Sequence, residues 1–103
     1  MRILQYMHVT DLDAAASLLK AFAHPLRLAI VLEVRKGERC VHDLVDELGV
    51  AQPLVSQHLR ILRQADVLTA QRRGREMTYR LADDHVAHIV LDAVAHANEG
   101  TPP

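Results

Sequence analysis

Residues 41–75 read VHDLVDELGVAQPLVSQHLRILRQADVLTAQRRGR, and the fold turns on this stretch. Leu44, Val45 and Leu48 form the apolar stripe of a short helix predicted over Val41 to Leu48, and Gly49 follows as the residue type that closes a helix. After Val50 the pair Gln52-Pro53 opens a second helix, with proline at a first-turn position that needs no backbone N–H. Val55, Leu59 and Leu62 make its inner stripe, and Ser56, Gln57, Arg60 and Arg63 its outer face. From Val67 the hydrophobic period shortens to two: Met77, Tyr79 and Leu81 line one face of a strand, Glu76, Thr78 and Arg80 the other. Arg73-Gly74 is expected to make the turn of a hairpin. Two short helices joined at a glycine, then a hairpin with an arginine tip, compose a winged helix-turn-helix. The predicted class is therefore mainly α with a β-hairpin wing.

Upstream of this stretch, Asp11 precedes an Ala/Leu-rich helical segment in which Ala15, Leu18, Leu19 and Phe22 recur, and His24-Pro25 restarts the chain as a helix ending near Arg35 at Lys36-Gly37. A last helix is expected from about Ala82 to about Asn98, with Gly100 and Pro102-Pro103 ending the order. The 103 residues, 50% hydrophobic and 24% charged, suffice for one modest core, so one domain over 1–103 is expected. No apolar run approaches the ~18 residues of a membrane span, and Met1 to Thr10 lacks the pattern of a secretory signal. A soluble cytoplasmic chain without a membrane partner is the expectation. Cys40, the single cysteine, excludes an intramolecular disulfide, an all-thiolate zinc site in one chain and a two-cysteine redox switch. With no Trp and only Phe22, Tyr6 and Tyr79 as aromatics, a base-stacking platform has little to build on.

Charge is segregated beneath a net −1. Residues 50–80 hold Arg60, Arg63, Arg72, Arg73, Arg75 and Arg80 against Asp66 and Glu76, whereas 81–103 carry Asp83, Asp84, Asp92 and Glu99 with no Lys or Arg. The first stretch suits an anion and the second a cation. A helix-turn-helix lays its second helix in the major groove with N-terminal residues against base edges, which makes Gln52, Ser56 and Gln57 the candidate readers. Pro53, His58 and Arg60 complete the helix positions expected at DNA, with His58 suited to a phosphate. Arg72, Arg73 and Arg75 suit phosphates or the minor groove. A merely solvated polar face is the alternative, but three arginines around one glycine repel each other and favour an external anion.

In the last helix, at about 100° per residue, His85, His88, Asp92, His96 and Glu99 fall within an arc of about 80°, beside Val86, Ile89, Val90, Ala93, Val94 and Ala97. A solvated face would normally mix both charge signs; this one has none of the basic sign. His85 and His96 lie about 16 Å apart along the axis, so one zinc ion with ligands at ~2 Å cannot reach both. Two copies packed antiparallel about a two-fold axis would bring Asp83 and His85 of one to His96 and Glu99 of the other, twice by symmetry. In the same register His88 faces Asp92 of the partner copy near the dyad. Two imidazoles and two carboxylates suit Zn(II), with Co(II) as a surrogate, and disfavour Cu(I). Ni(II) would prefer more ligands, and Gly100 to Pro103 adds no histidine.

Ala23-His24-Pro25-Leu26-Arg27, Cys40-Val41-His42-Asp43-Leu44, Gln52-Pro53-Leu54-Val55-Ser56-Gln57-His58-Leu59, the wing Arg73-Gly74-Arg75-Glu76 and the last helix together resemble the ArsR/SmtB metalloregulatory repressors of bacteria. The likeness runs from Leu19 to Glu99 and departs at Pro53, where many members carry a serine that touches DNA. The spacing Asp83-x-His85-(ten residues)-His96-(two residues)-Glu99 is similar to the zinc-sensing last-helix motif of the SmtB-like branch. The resemblance implies a homodimer joined through terminal helices, with the helix at about 82–98 serving dimerisation and metal sensing. It implies binding to double-stranded operator DNA when metal-free and release by Zn(II). An alternative in the same fold answers another metal or a non-metal signal. An enzyme is not expected, and no small-molecule substrate: four protein ligands leave a zinc ion no open position for water. Cys40 with Asp43 resembles half of a second family site, but His42 stands where a second cysteine would be. Cys40 is expected chiefly as a small buried residue at a helix start, with His8 a candidate to join Cys40 and Asp43 in a weak secondary site. His24 is expected to start a helix and not to bind metal.

Overall fold

The computed structural model describes residues 8–100; the expectations for Met1 to Met7 and for Pro102-Pro103 lie outside them. The chain runs α1 (Val9–Phe22), α2 (Pro25–Arg35), β1 (Arg39–Cys40), α3 (Val41–Leu48), α4 (Gln52–Gln64), β2 (Leu68–Arg73), β3 (Glu76–Leu81) and α5 (Asp84–Ala97). It is mostly helical with a small antiparallel sheet, ordered β1-β3-β2.

Local chemistry sets each boundary. His24 takes extended backbone, and its Nδ1 accepts the N–H of Leu26 at 3.0 Å, so that Pro25 starts α2 behind a side-chain cap. The axes of α1 and α2 meet at 92° across this step. Gly49 closes α3 at φ 65°, donating its N–H to the Val45 carbonyl at 2.9 Å, and the left-handed backbone there suits a residue without Cβ. α4 ends in a related device with Asp66 at φ 59°: Asp66 N–H bonds the Arg63 carbonyl (3.0 Å) and Val67 N–H that of Leu62 (2.9 Å).

Two expectations are corrected, and one element is added. Asp11 does not precede the first helix; α1 begins at Val9, and the Asp11 carboxylate accepts the His8 N–H at 3.0 Å from within the first turn. The hairpin turn is Gly74-Arg75, because Arg73 already pairs with Glu76, and Gly74 carries the positive φ of 64°. β1, pairing Arg39 with Tyr79 and Cys40 with Thr78, has no counterpart in the sequence reading, since two residues cannot display a period.

Ile30, Val31, Leu44, Val55, Leu62, Val67 and Val90 are fully buried and join α2, α3, α4 and α5 around one core. Each such side chain contributes roughly 1.5–3 kcal/mol by leaving water. That core fixes α4 and α5 on the same body with their polar faces outward. Among the described residues no single helix is long and apolar enough to cross a membrane.

Candidate nucleic-acid interface and cation-binding face

α4 turns Val55, Leu59 and Leu62 inward as its periodicity predicts, leaving Gln52, Pro53, Gln57, Arg60 and Arg63 exposed and Ser56 half-buried. The wing extends beside it with Arg72, Arg73 and Arg75 exposed. Between them a cavity of about 190 Å³ is lined by Cys40, His42, Gln52, Arg75 and Tyr79. The helix start and the wing are thus exposed on either side of this hollow, whose lining also includes Val41, Glu76 and Met77.

His58 is not part of that surface. Only 4% of it is exposed, and its Nδ1 lies 3.1 Å from Arg27 Nη1. Its ring centre stands 4.4 Å from that of His24, at a tilt of 41°. Burial, and then the neighbouring His24 and Arg27, push its pKa below the ordinary imidazole range. A phosphate contact is therefore excluded by position. The signal lay in the spacing: His58 is three residues after Val55 and four before Leu62, inside the apolar stripe.

The wing arginines also differ from expectation in one respect. Arg73 already meets a carboxylate: Nε lies 3.2 Å from Glu38 Oε2, and Nη2 donates to Glu38 Oε1 at 3.2 Å. This two-point contact ties the wing to the α2–β1 connection. Arg72 and Arg75 make no ion pair among the described residues.

At α3, Cys40 is buried at the helix start as expected, and burial raises its thiol pKa above the ordinary range. Its backbone N–H donates to Asp43 Oδ2 at 3.0 Å, a bond that holds the Asp43 carboxyl below its usual range. His8, at the start of α1, does not join them: among the described residues no three His, Cys, Asp or Glu side chains converge as a metal would require. The weak secondary site is thus not assembled within one protomer.

α5 buries Val86, Ala87 and Val90 against the body and carries His85, His88, Asp92 and His96 exposed on the opposite side, with Glu99 exposed just past its end. Asp83 lies just before the helix, where its Oδ1 accepts the Val86 N–H at 3.3 Å; its second oxygen has no protein partner among the described residues. At the far end, His96 Nδ1 and Glu99 Oε2 stand 3.8 Å apart, one turn from each other. Asp83 with His85, and His96 with Glu99, are two half-sets at opposite ends of one outward face. His88 borders a hollow of about 420 Å³ shared with Asp84 and Arg35 of α2, a neighbour that sequence did not suggest. Beside the polar face, α1 and α5 leave an apolar hollow of about 220 Å³ lined by Leu19, Phe22, Ala23, Leu28, Ile89 and Ala93, with Leu19 56% exposed.

The family described as bacterial regulatory protein, arsR family, matches residues 24–70. The HTH-type transcriptional repressor SmtB of Mycobacterium tuberculosis is 67% identical over 88 residues, a match covering 85% of this chain and 65% of that relative's length. The HTH-type transcriptional regulator NmtR of the same organism is 40% identical over 82 residues, 80% of this chain and 68% of the relative. Among solved structures, a homodimeric winged helix-turn-helix DNA-binding domain from Mycobacterium bovis, described as a possible ArsR-family regulator, superposes with a TM-score of 0.82. It is 28% identical and covers 93% of this chain and 89% of its own. The chain thus spans just under two thirds of the length of the SmtB relatives it matches.

Proposed function

The chain belongs to the arsR family of bacterial regulatory proteins, and from that premise we propose that it is a metal-responsive transcriptional repressor that binds operator DNA as a homodimer and leaves it when Zn(II) binds. DNA is read by Gln52, Ser56 and Gln57 on α4, with Pro53 at the same helix start. Arg60, Arg72, Arg73 and Arg75 contact phosphates. The metal sites lie between subunits, each built from Asp83 and His85 of one protomer with His96 and Glu99 of its partner. The apolar hollow between α1 and α5 receives the second copy.

The observation that carries the effector reading is the outward face of α5. Five ligand-type side chains share it with no lysine or arginine, and His96 and Glu99 already stand 3.8 Å apart. Neutral imidazole and carboxylate are the donor types Zn(II) accepts in a four-ligand set. When bound, the ion supplies a cross-link between the two protomers' last helices. Such a cross-link weakens DNA binding only if it favours a dimer in which the two α4 helices no longer fit successive major grooves, because a ligand shifts an equilibrium only by its differential affinity.

The test is a mobility shift on a duplex selected from a randomised pool by the metal-free chain, paired with zinc binding by calorimetry. The expected result is one zinc per protomer and loss of the shifted band at saturation. Zinc binding without release, or no selected duplex at all, contradicts the proposal.

A further inference from the structure

α4 packs on the body almost wholly through aliphatic side chains, and such contacts have no strong direction. They set which face of the helix turns inward, and a directional hydrogen bond sets its rotation more finely. Among the described residues only one side-chain hydrogen bond joins α4 to another element: that between His58 Nδ1 and Arg27 Nη1, at 3.1 Å. Arg27 is itself anchored, since its Nε donates to the Ala21 carbonyl at 2.6 Å in the last turn of α1. We infer that His58 is a positioning residue for the DNA-reading face, tied through Arg27 to the α1–α2 corner, and that protonation of its ring unlocks that face. The inference rests on the assignment of α4 as the reading helix.

The bond dictates the ring's chemistry. A guanidinium has only donors and keeps its proton, so His58 Nδ1 must present a lone pair, with the ring neutral and its hydrogen on Nε2. His24 is constrained in the same way, because its Nδ1 accepts the Leu26 N–H. The charged or titratable groups acting on the His58 ring are His24, which caps α2, and Arg27 within α2, whereas α1 contributes the Ala21 carbonyl through Arg27. No carboxylate acts on it among the described residues. A second proton on the ring therefore removes the acceptor and sets an imidazolium beside a guanidinium. Gln57, the neighbouring residue on the outward side, turns with any rotation that relieves this. Protonation belongs below the ordinary histidine range near pH 6.5, because burial and both neighbours oppose it.

The test uses the full chain without metal and a duplex it has selected from a randomised pool at pH 7.5, followed by fluorescence anisotropy between pH 7.5 and 5.0. An unselected random duplex is the reference. Wild type should lose about tenfold of its preference for the selected duplex across that range, the size expected when one buried hydrogen bond is lost. His58→Gln keeps an acceptor for Arg27 but cannot titrate; it should retain most of the preference at pH 7.5 and lose the pH dependence. His58→Leu should reduce the preference at every pH and leave random-duplex affinity alone. Nitrogen NMR of the His58 ring, which needs no DNA and no variant, should report the Nε2–H tautomer at pH 7.5. A His58→Gln profile that matches wild type, or an Nδ1–H tautomer, overturns the inference while leaving the DNA-reading assignment in place. Failure of wild type to select any duplex overturns that assignment and the inference with it.

Discussion

His58 also sets how the folded protein responds to acid. Its pKa in the folded chain lies below that of the unfolded chain, so the unfolded state takes up the proton first as pH falls through about 6.5. Its contribution is complete above that pH and is lost as pH drops toward the folded value. Urea unfolding at pH 7.5, 6.5 and 5.5 should show a decline that His58→Gln flattens; an unchanged decline would place the acid sensitivity elsewhere. Asp66 invites a second test at this scale, because its left-handed backbone costs a β-branched residue roughly 1–2 kcal/mol. Asp66→Val should lower the urea midpoint and Asp66→Gly should hold or raise it. The same residues mark what was legible in sequence. The burial of Val55, Leu59 and Leu62 followed from spacing, and so, read strictly, did that of His58, whose polarity drew it to the wrong face. Its partner Arg27 lies 31 residues away, and Glu38 lies 35 residues from Arg73; contacts made only by folding leave no periodicity to read.

The elements differ in how sharply sequence defined them. α3 and α4 begin and end where Gly49 and Gln52-Pro53 punctuate the chain, whereas the two-residue β1 acquires its identity only from pairing with β3. The wing and α4 should divide the work of binding DNA. Arg72→Ala with Arg75→Ala should weaken binding to selected and random duplexes alike and lower the salt slope, since each phosphate contact contributes roughly 0.9 to it. Gln57→Ala should instead erode discrimination between them. Equal losses of discrimination from both would show that the surface is not so divided. Glu38→Gln removes the carboxylate that competes with phosphate for Arg73, and should steepen the salt slope; a shallower slope would mean that Glu38 orients the wing more than it neutralises it. In α5, Asp83→Ala removes the Val86 cap and should cost about 1 kcal/mol of stability even without metal.

At the scale of the whole molecule, the proposed reading makes one protomer an incomplete object. Its apolar α1–α5 hollow is open, and its outward ligands lie in two half-sets too far apart for one ion. On that reading a second copy completes both, and Leu19→Asp, placed in that hollow, should shift sedimentation toward the monomer and abolish tight zinc binding together with dimerisation. His96 is exposed on α5, an element separate from α4 and the wing turn, so removing it should uncouple effector from DNA without unfolding the chain. The decisive measurement is therefore a zinc titration of the preformed protein–DNA complex, followed by anisotropy, with wild type and His96→Ala in parallel. Wild type should release the duplex as zinc saturates, and His96→Ala should bind the duplex as tightly when metal-free yet stay bound at the same zinc concentrations. Release of both variants at the same zinc concentration would contradict the assignment of the last-helix face as the sensor.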